Sequence, residues 1–248
     1  MEALTLRSTT GLITKRRDVP RLDALARLLA DAPELCDAYD ALLGSLRLSA
    51  ALSSGNTILV TSTLPGEGKT TVAACLALTA SLAGYSVLLV DGDLRRPWLA
   101  TDTVGLGEVL AGVAEPAEVI ELVDVFAESY KAGPLRVMAS GRRPPAFLPA
   151  VDWAKARATF QGVSRSFGLV LIDTPPLMAA SDPLLLAGVA DAVLLVVGSG
   201  TAHRDDVRRA KEQLRHISTP FLGAVLNQLD PQTSGRPGYR GYYRRSRP

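Results

Sequence analysis

The spacing of apolar positions changes at about residue 56. Upstream, Leu22, Leu25, Leu28 and Leu29 recur every three to four residues, and Leu42, Leu43 and Leu46 resume that spacing beyond Pro33. This period predicts two amphipathic helices across 21–52, broken near the proline, that pack on a core or on a neighbouring molecule. Downstream, short apolar runs rich in β-branched residues alternate with helical stretches: ILVT at 58–61, SVLLVD at 86–91, LRVMA at 135–139, GLVLID at 168–173, AVLLVV at 192–197 and FLGAVLN at 221–227. Strands that are apolar at nearly every position, separated by helices, predict an α/β fold with a mostly parallel sheet covered on both faces. The core domain is expected over 53–231. Residues 1–20 mix Thr, Lys, Arg and Gly without period and are expected to form a flexible arm.

Composition supports one large domain. Of the 248 residues 47% are hydrophobic and 21% charged, enough apolar material for a substantial core. The longest apolar stretches, Ala73 to Ala83 and Ala192 to Val197, fall short of the ~20 residues that cross a bilayer, so neither a membrane anchor nor a secretion signal is expected. Two cysteines provide no disulfide framework, which fits a reducing cytosol. The net charge of +2 hides an asymmetry: Arg236, Arg240, Arg244, Arg245 and Arg247 leave 22 basic against 25 acidic side chains in everything before them. This tail, 232–248, has Gly and Pro but no aliphatic residue after Gly235 and is expected to be flexible.

Candidate chemistry gathers at strand ends. ILVTSTLPGEGKTT at 58–71 runs from a strand through a glycine-rich turn into the helix 72–82. That order places backbone N–H groups and a helix N-terminus around an anion, with Pro65, Gly66, Glu67, Gly68 and Thr71 in the cradle. Lys69 reaches the outer phosphates and the Thr70 hydroxyl serves Mg²⁺, so ATP with Mg²⁺ is the expected cofactor pair. The strict motif fails only at its first glycine, replaced by Thr63. Asp91 and Asp93 follow one apolar run and Asp173 another; the C-terminal ends of parallel strands converge, so all three belong near the loop. Asp173 suits the metal, which needs only one or two carboxylates besides phosphate and water. The Asp91 and Asp93 pair then offers a base and a further metal or water ligand, and Arg95 is a candidate to neutralise charge on a transferred phosphoryl group.

These three segments resemble the bacterial tyrosine kinases that accompany capsule and exopolysaccharide export, P-loop proteins related to the partition and cell-division ATPases. TSTLPGEGKTT, LLVDGDLRRP and LVLIDTPP are similar to that family's three phosphate and metal motifs. The similarity extends through GLGEVLAG at 105–112, ASGRRPP at 139–145, SDPLLLAGVADAVLLVV at 181–197 and LGAVLNQLD at 222–230. It implies an ATP- and Mg²⁺-dependent protein-tyrosine autokinase, with Asp91 as the base toward tyrosine, Asp93 and Asp173 at the metal, and Asn227 at the adenine. Tyr239, Tyr242 and Tyr243 look like autophosphorylation sites. The family's partner is a transmembrane polysaccharide chain-length regulator that acts as activator, which implies a cytoplasmic protein held at the inner face of the membrane by that partner. Nucleic acid is not expected as a partner.

The chain departs from the family pattern in two ways. The helix before the sheet usually carries E-x-x-R-x-x-R, which holds subunits in a ring; here Asp37 keeps the acid while Asp40 and Leu43 stand in place of the arginines. The segment after Arg96-Pro97 also looks short. Two other functions compete: a non-catalytic ATP switch of the export machinery, and a partition-type ATPase. Against the latter, Leu64 occupies the position of a lysine that those ATPases extend into a partner's nucleotide site.

Overall fold

The computed structural model describes residues 16–49, 56–99, 103–125, 135–143 and 145–229. The first fifteen residues and the tail with Tyr239, Tyr242 and Tyr243 lie outside the described residues.

A two-residue strand β1 (Arg16–Arg17) leads into α1 (Pro20–Asp31) and α2 (Pro33–Arg47). Proline opens each helix, where its missing N–H costs nothing and its fixed φ already suits the first turn. The expected break therefore falls at Ala32, just before Pro33. Within the segment expected to be a flexible arm, Arg16–Arg17 pair in parallel with residues 122–123, and Arg17 Nη1 lies 2.9 Å from Glu121 Oε2. A sheet ladder uses backbone groups alone, so a basic dipeptide can extend an edge without any hydrophobic signature.

Next come β2 (Thr57–Ser62), α3 (Lys69–Leu82), β3 (Val87–Asp91), α4 (Leu106–Leu110), α5 (Pro116–Val119), β4 (Ile120–Val123) and β5 (Leu135–Met138). After a 3₁₀ turn at 145–150 follow α6 (Trp153–Ser164), β6 (Leu169–Asp173), α7 (Asp182–Leu186), β7 (Ala192–Gly198), α8 (Arg204–Arg215) and β8 (Phe221–Asn227). The strands form one eight-stranded sheet in the order β1-β4-β5-β3-β6-β2-β7-β8. Every neighbouring pair is parallel except β4 with β5. All six strands read from the sequence are present within a residue or two. β1 and β4 are additions, and IELV is too short to announce itself.

Both sheet faces are buried, and the alternation of side chains divides each strand between two cores. Ile58, Val60, Val87, Leu89, Leu171 and Leu194 face one way, onto α3 and through it α1 and α2. Leu59, Leu88, Val90, Ile172, Val193 and Leu195 face the other, toward Phe160, Leu148 and Leu106. α3 is apolar all round because it lies between the sheet and the α1–α2 pair, with every residue from Val72 to Ser81 buried. No helix among the described residues is long and apolar enough to cross a membrane.

Candidate active site

β2, β3 and β6 are adjacent and parallel, so the segments that leave their C-terminal ends meet. From β2 the chain turns at Gly66 and Gly68, with φ of +85° and +86°, before α3 begins at Lys69. Gly68 also has no room for a side chain, because a Cβ there would collide with the Asn227 amide. Side chains thus leave the mouth of α3, and its first N–H groups, which have no partner within a helix, point where an anion would sit.

Lys69 Nζ lies 3.4 Å from Asp93 Oδ2 and 3.8 Å from Asp173 Oδ1. The Thr70 hydroxyl donates to Asp173 Oδ2 at 2.6 Å. Asp173 is fully buried, and its Oδ1 accepts no hydrogen bond. Burial pushes its pKa up to about 6, against the pull of Lys69 and the Thr70 bond. A buried carboxylate oxygen facing a lysine and a threonine hydroxyl fits a Mg²⁺ that takes its other ligands from phosphate and water. Among the described residues no three His, Cys, Asp or Glu side chains cluster so as to hold a metal ion.

Residues 58–246 match the CobQ/CobB/MinD/ParA nucleotide binding domain family. The chain is 35% identical over 191 residues to tyrosine-protein kinase YwqD of Bacillus subtilis (strain 168), covering 74% of this chain and 77% of the relative. It is 32% identical to tyrosine-protein kinase CpsD of Streptococcus pneumoniae serotype 4 (strain ATCC BAA-334 / TIGR4), over 86% of this chain and 92% of that one. The chain belongs to the bacterial tyrosine-protein kinases. The kinase domain of Escherichia coli tyrosine kinase ETK superposes with a TM-score of 0.69 at 27% identity, covering 81% of this chain and 78% of that one.

In this kinase Asp91 sits deeper than a group that meets substrate directly. It has no exposed surface; Oδ1 accepts the Asp93 N–H at 3.2 Å, and Oδ2 those of Trp98 and Leu99 at 2.8 and 2.9 Å. Burial raises its pKa to about 7, against the pull of these N–H groups and with a push from Asp173. Asp93 is nearer the surface, and its Oδ1 accepts from the N–H groups of Arg95 and Arg96 at 3.2 and 2.9 Å. The two aspartates therefore organise the whole turn from 92 to 99.

Arg95, expected at the transferred phosphoryl group, places its guanidinium on both oxygens of Asp182, a buried carboxylate at the start of α7, at 2.7 and 2.9 Å. The sequence pattern singled out Arg95 by its place after Asp93; Asp182, 87 positions away, left no local signal. Glu67 is likewise turned inward: its side chain is fully buried and bonds backbone, while Pro65 and Gly66 are exposed and Lys69, Thr70 and Thr71 half-buried. Asn227 touches the loop through its Nδ2, which donates to Glu67 O at 2.9 Å. Of the two positions where the family has ring arginines, Asp40 is exposed, but Leu43 is buried in the α1–α2–α3 core.

Proposed function

We propose that this kinase transfers the γ-phosphoryl group of ATP to tyrosine hydroxyls, including Tyr239, Tyr242 and Tyr243 of its own tail. Extracellular polysaccharide production is the process it serves, with a transmembrane chain-length regulator as activating partner that brings it to the membrane. The observation that carries the reading is the convergence of Lys69, Thr70, Asp93 and Asp173 at the mouth of α3.

In this reading Lys69 and the first N–H groups of α3 hold the phosphates, and Asn227 lies on the adenine side of the loop. Thr70, Asp173 and Asp93 hold Mg²⁺, which when bound supplies charge to offset that of the phosphoryl oxygens. Asp91, at the end of β3 with its Cα paired to that of Asp173 and its Oδ1 bonded to the Asp93 N–H, takes the tyrosine proton. That role requires Trp98 and Leu99 to release Oδ2, which ties base exposure to movement of the 92–99 turn.

Phosphosite mass spectrometry after incubation with ATP and Mg²⁺, alone and with cytosolic tail peptides of candidate regulators, tests the reading. Phosphate on the tail tyrosines is expected in the wild type and absent from Lys69→Met. Binding of ATP without tyrosine modification under any partner condition would instead leave a nucleotide switch. Asp40 and the buried Leu43 give that second reading its footing, because a ring that brings tails to neighbouring sites would lack both of its arginines.

A further inference from the structure

Glu67 presents a carboxylate with no exposed surface, inside the phosphate loop itself. Its Oε2 accepts the Leu64 N–H at 2.6 Å, closing the loop across its own turn. Its Oε1 accepts the Gly198 N–H at 2.9 Å, from the last residue of β7. Burying a carboxylate is expensive, and here backbone N–H donors are what offset it. The return connection comes from the end of β8. Asn227 Nδ2 donates to Glu67 O at 2.9 Å, and Gln228 Nε2 donates to Gly66 O at 2.8 Å. The Ser199 N–H donates to Asn227 O at 2.8 Å, so the β7 and β8 ends are also joined to each other.

Two details mark this as a built connection. Gln228 is the one non-glycine residue among those described with positive φ, +58°, and that conformation aims its amide at the loop. Gly198 has no space for a Cβ, which would meet Thr201, Gln228 and Glu67 side chains together. β8 is meanwhile an edge strand, paired only with β7, and Phe221, Leu226 and Leu229 on and just beyond it are 41%, 54% and 51% exposed.

We propose that Glu67, Asn227 and Gln228 fasten the phosphate loop to the ends of β7 and β8, so that nucleotide affinity and the order of the β8 edge are coupled. They are positioning residues: the loop can present its N–H groups to phosphate only while β8 is seated, and a seated nucleotide in turn holds β8 down. The coupling is reciprocal by thermodynamic necessity. It rests on the reading that the loop takes a nucleotide.

Hydrogen exchange of the segment 221–229, with and without ADP and Mg²⁺, measures one direction; ADP affinity by calorimetry measures the other. ADP is expected to slow exchange of this segment in the wild type. Gln228→Gly tolerates the same φ and deletes the bond to Gly66 O, so it is expected to lower Tm by no more than about 2–4 °C. Its ADP dissociation constant should rise about three- to tenfold, the range of one hydrogen bond, and the slowing of exchange should diminish. Glu67→Gln, which turns an NH₂ toward one of two N–H donors, should show the larger loss. The proposal is overturned if Gln228→Gly binds ADP as the wild type does, or if β8 exchange in the wild type ignores ADP. A wild type that binds no ADP overturns the nucleotide reading, and the coupling with it.

Discussion

Asp173 shows how burial sets the condition of the site before any ligand arrives. It accepts one hydrogen bond, from Thr70, and has Lys69 nearby, yet desolvation outweighs both and leaves its pKa at about 6, above the ordinary 3.8. A carboxyl with a raised folded-state pKa contributes stability that is fully present below its unfolded value and is lost as pH rises through the folded value. The nucleotide-free protein is therefore expected to lose stability through this group between about pH 4 and pH 6. Asp173→Asn keeps an oxygen for the Thr70 hydroxyl and removes the titration, so its melting temperature should vary less over that window. Parallel thermal unfolding of both proteins from pH 4 to 7 checks this, and equal slopes would mean that Asp173 does not titrate there. Asp91 and Asp182 are buried carboxyls too, held by different partners. One buried carboxylate is satisfied by backbone N–H groups, the other by a bidentate arginine. Only the first kind of partner could be guessed from neighbours in sequence, and for that reason the pairing of Arg95 with Asp182 was not legible from its spacing after Asp93.

At the level of elements, legibility followed burial. β2, β3, β6 and β7 are apolar at nearly every position because both faces of the sheet are covered, and such runs stand out in any window. β4 has four residues with two buried ends, and β1 is two arginines, so neither carries a period long enough to read. α2 was legible as a helix, but which residues it turns inward was not. Leu43 faces α3 and Asp40 faces away, so the two positions where the family has arginines are no longer equivalent. Restoring arginine at each should separate them. Asp40→Arg is expected to change stability by less than about 0.5 kcal/mol, as most exposed substitutions do. Leu43→Arg forces a guanidinium toward an apolar core and should cost about 2–4 kcal/mol, the range of severe core changes. Urea unfolding of the two variants gives these values. A mild effect of Leu43→Arg would show that α2 can rotate its arginine outward, which would reopen the route to a ring.

For the molecule as a whole, the distribution of charge bears on assembly more than the fold does. Everything up to Gly235 carries 22 basic and 25 acidic side chains, while the remaining thirteen residues carry five arginines and no acid. Opposite charges on one chain can meet within a molecule or between molecules, and the second meeting brings a tail to a neighbour's active site. Each phosphotyrosine adds about −1.5 to −2, so phosphate on Tyr239, Tyr242 and Tyr243 cancels the tail's +5 and removes the attraction. Self-association of unphosphorylated protein is therefore expected to weaken on raising salt from 0.05 to 0.3 M, since screening shortens the reach of exposed charges to under about 10 Å. Full phosphorylation at low salt should weaken it to the same extent. Sedimentation velocity of both forms at both salt concentrations measures this, with a Tyr239→Phe, Tyr242→Phe, Tyr243→Phe variant exposed to ATP as control. Association that is unchanged by salt and by phosphate would place the contact on uncharged surface. The exposed edge of β8, with Phe221 and Leu226, is then the region where it should be sought.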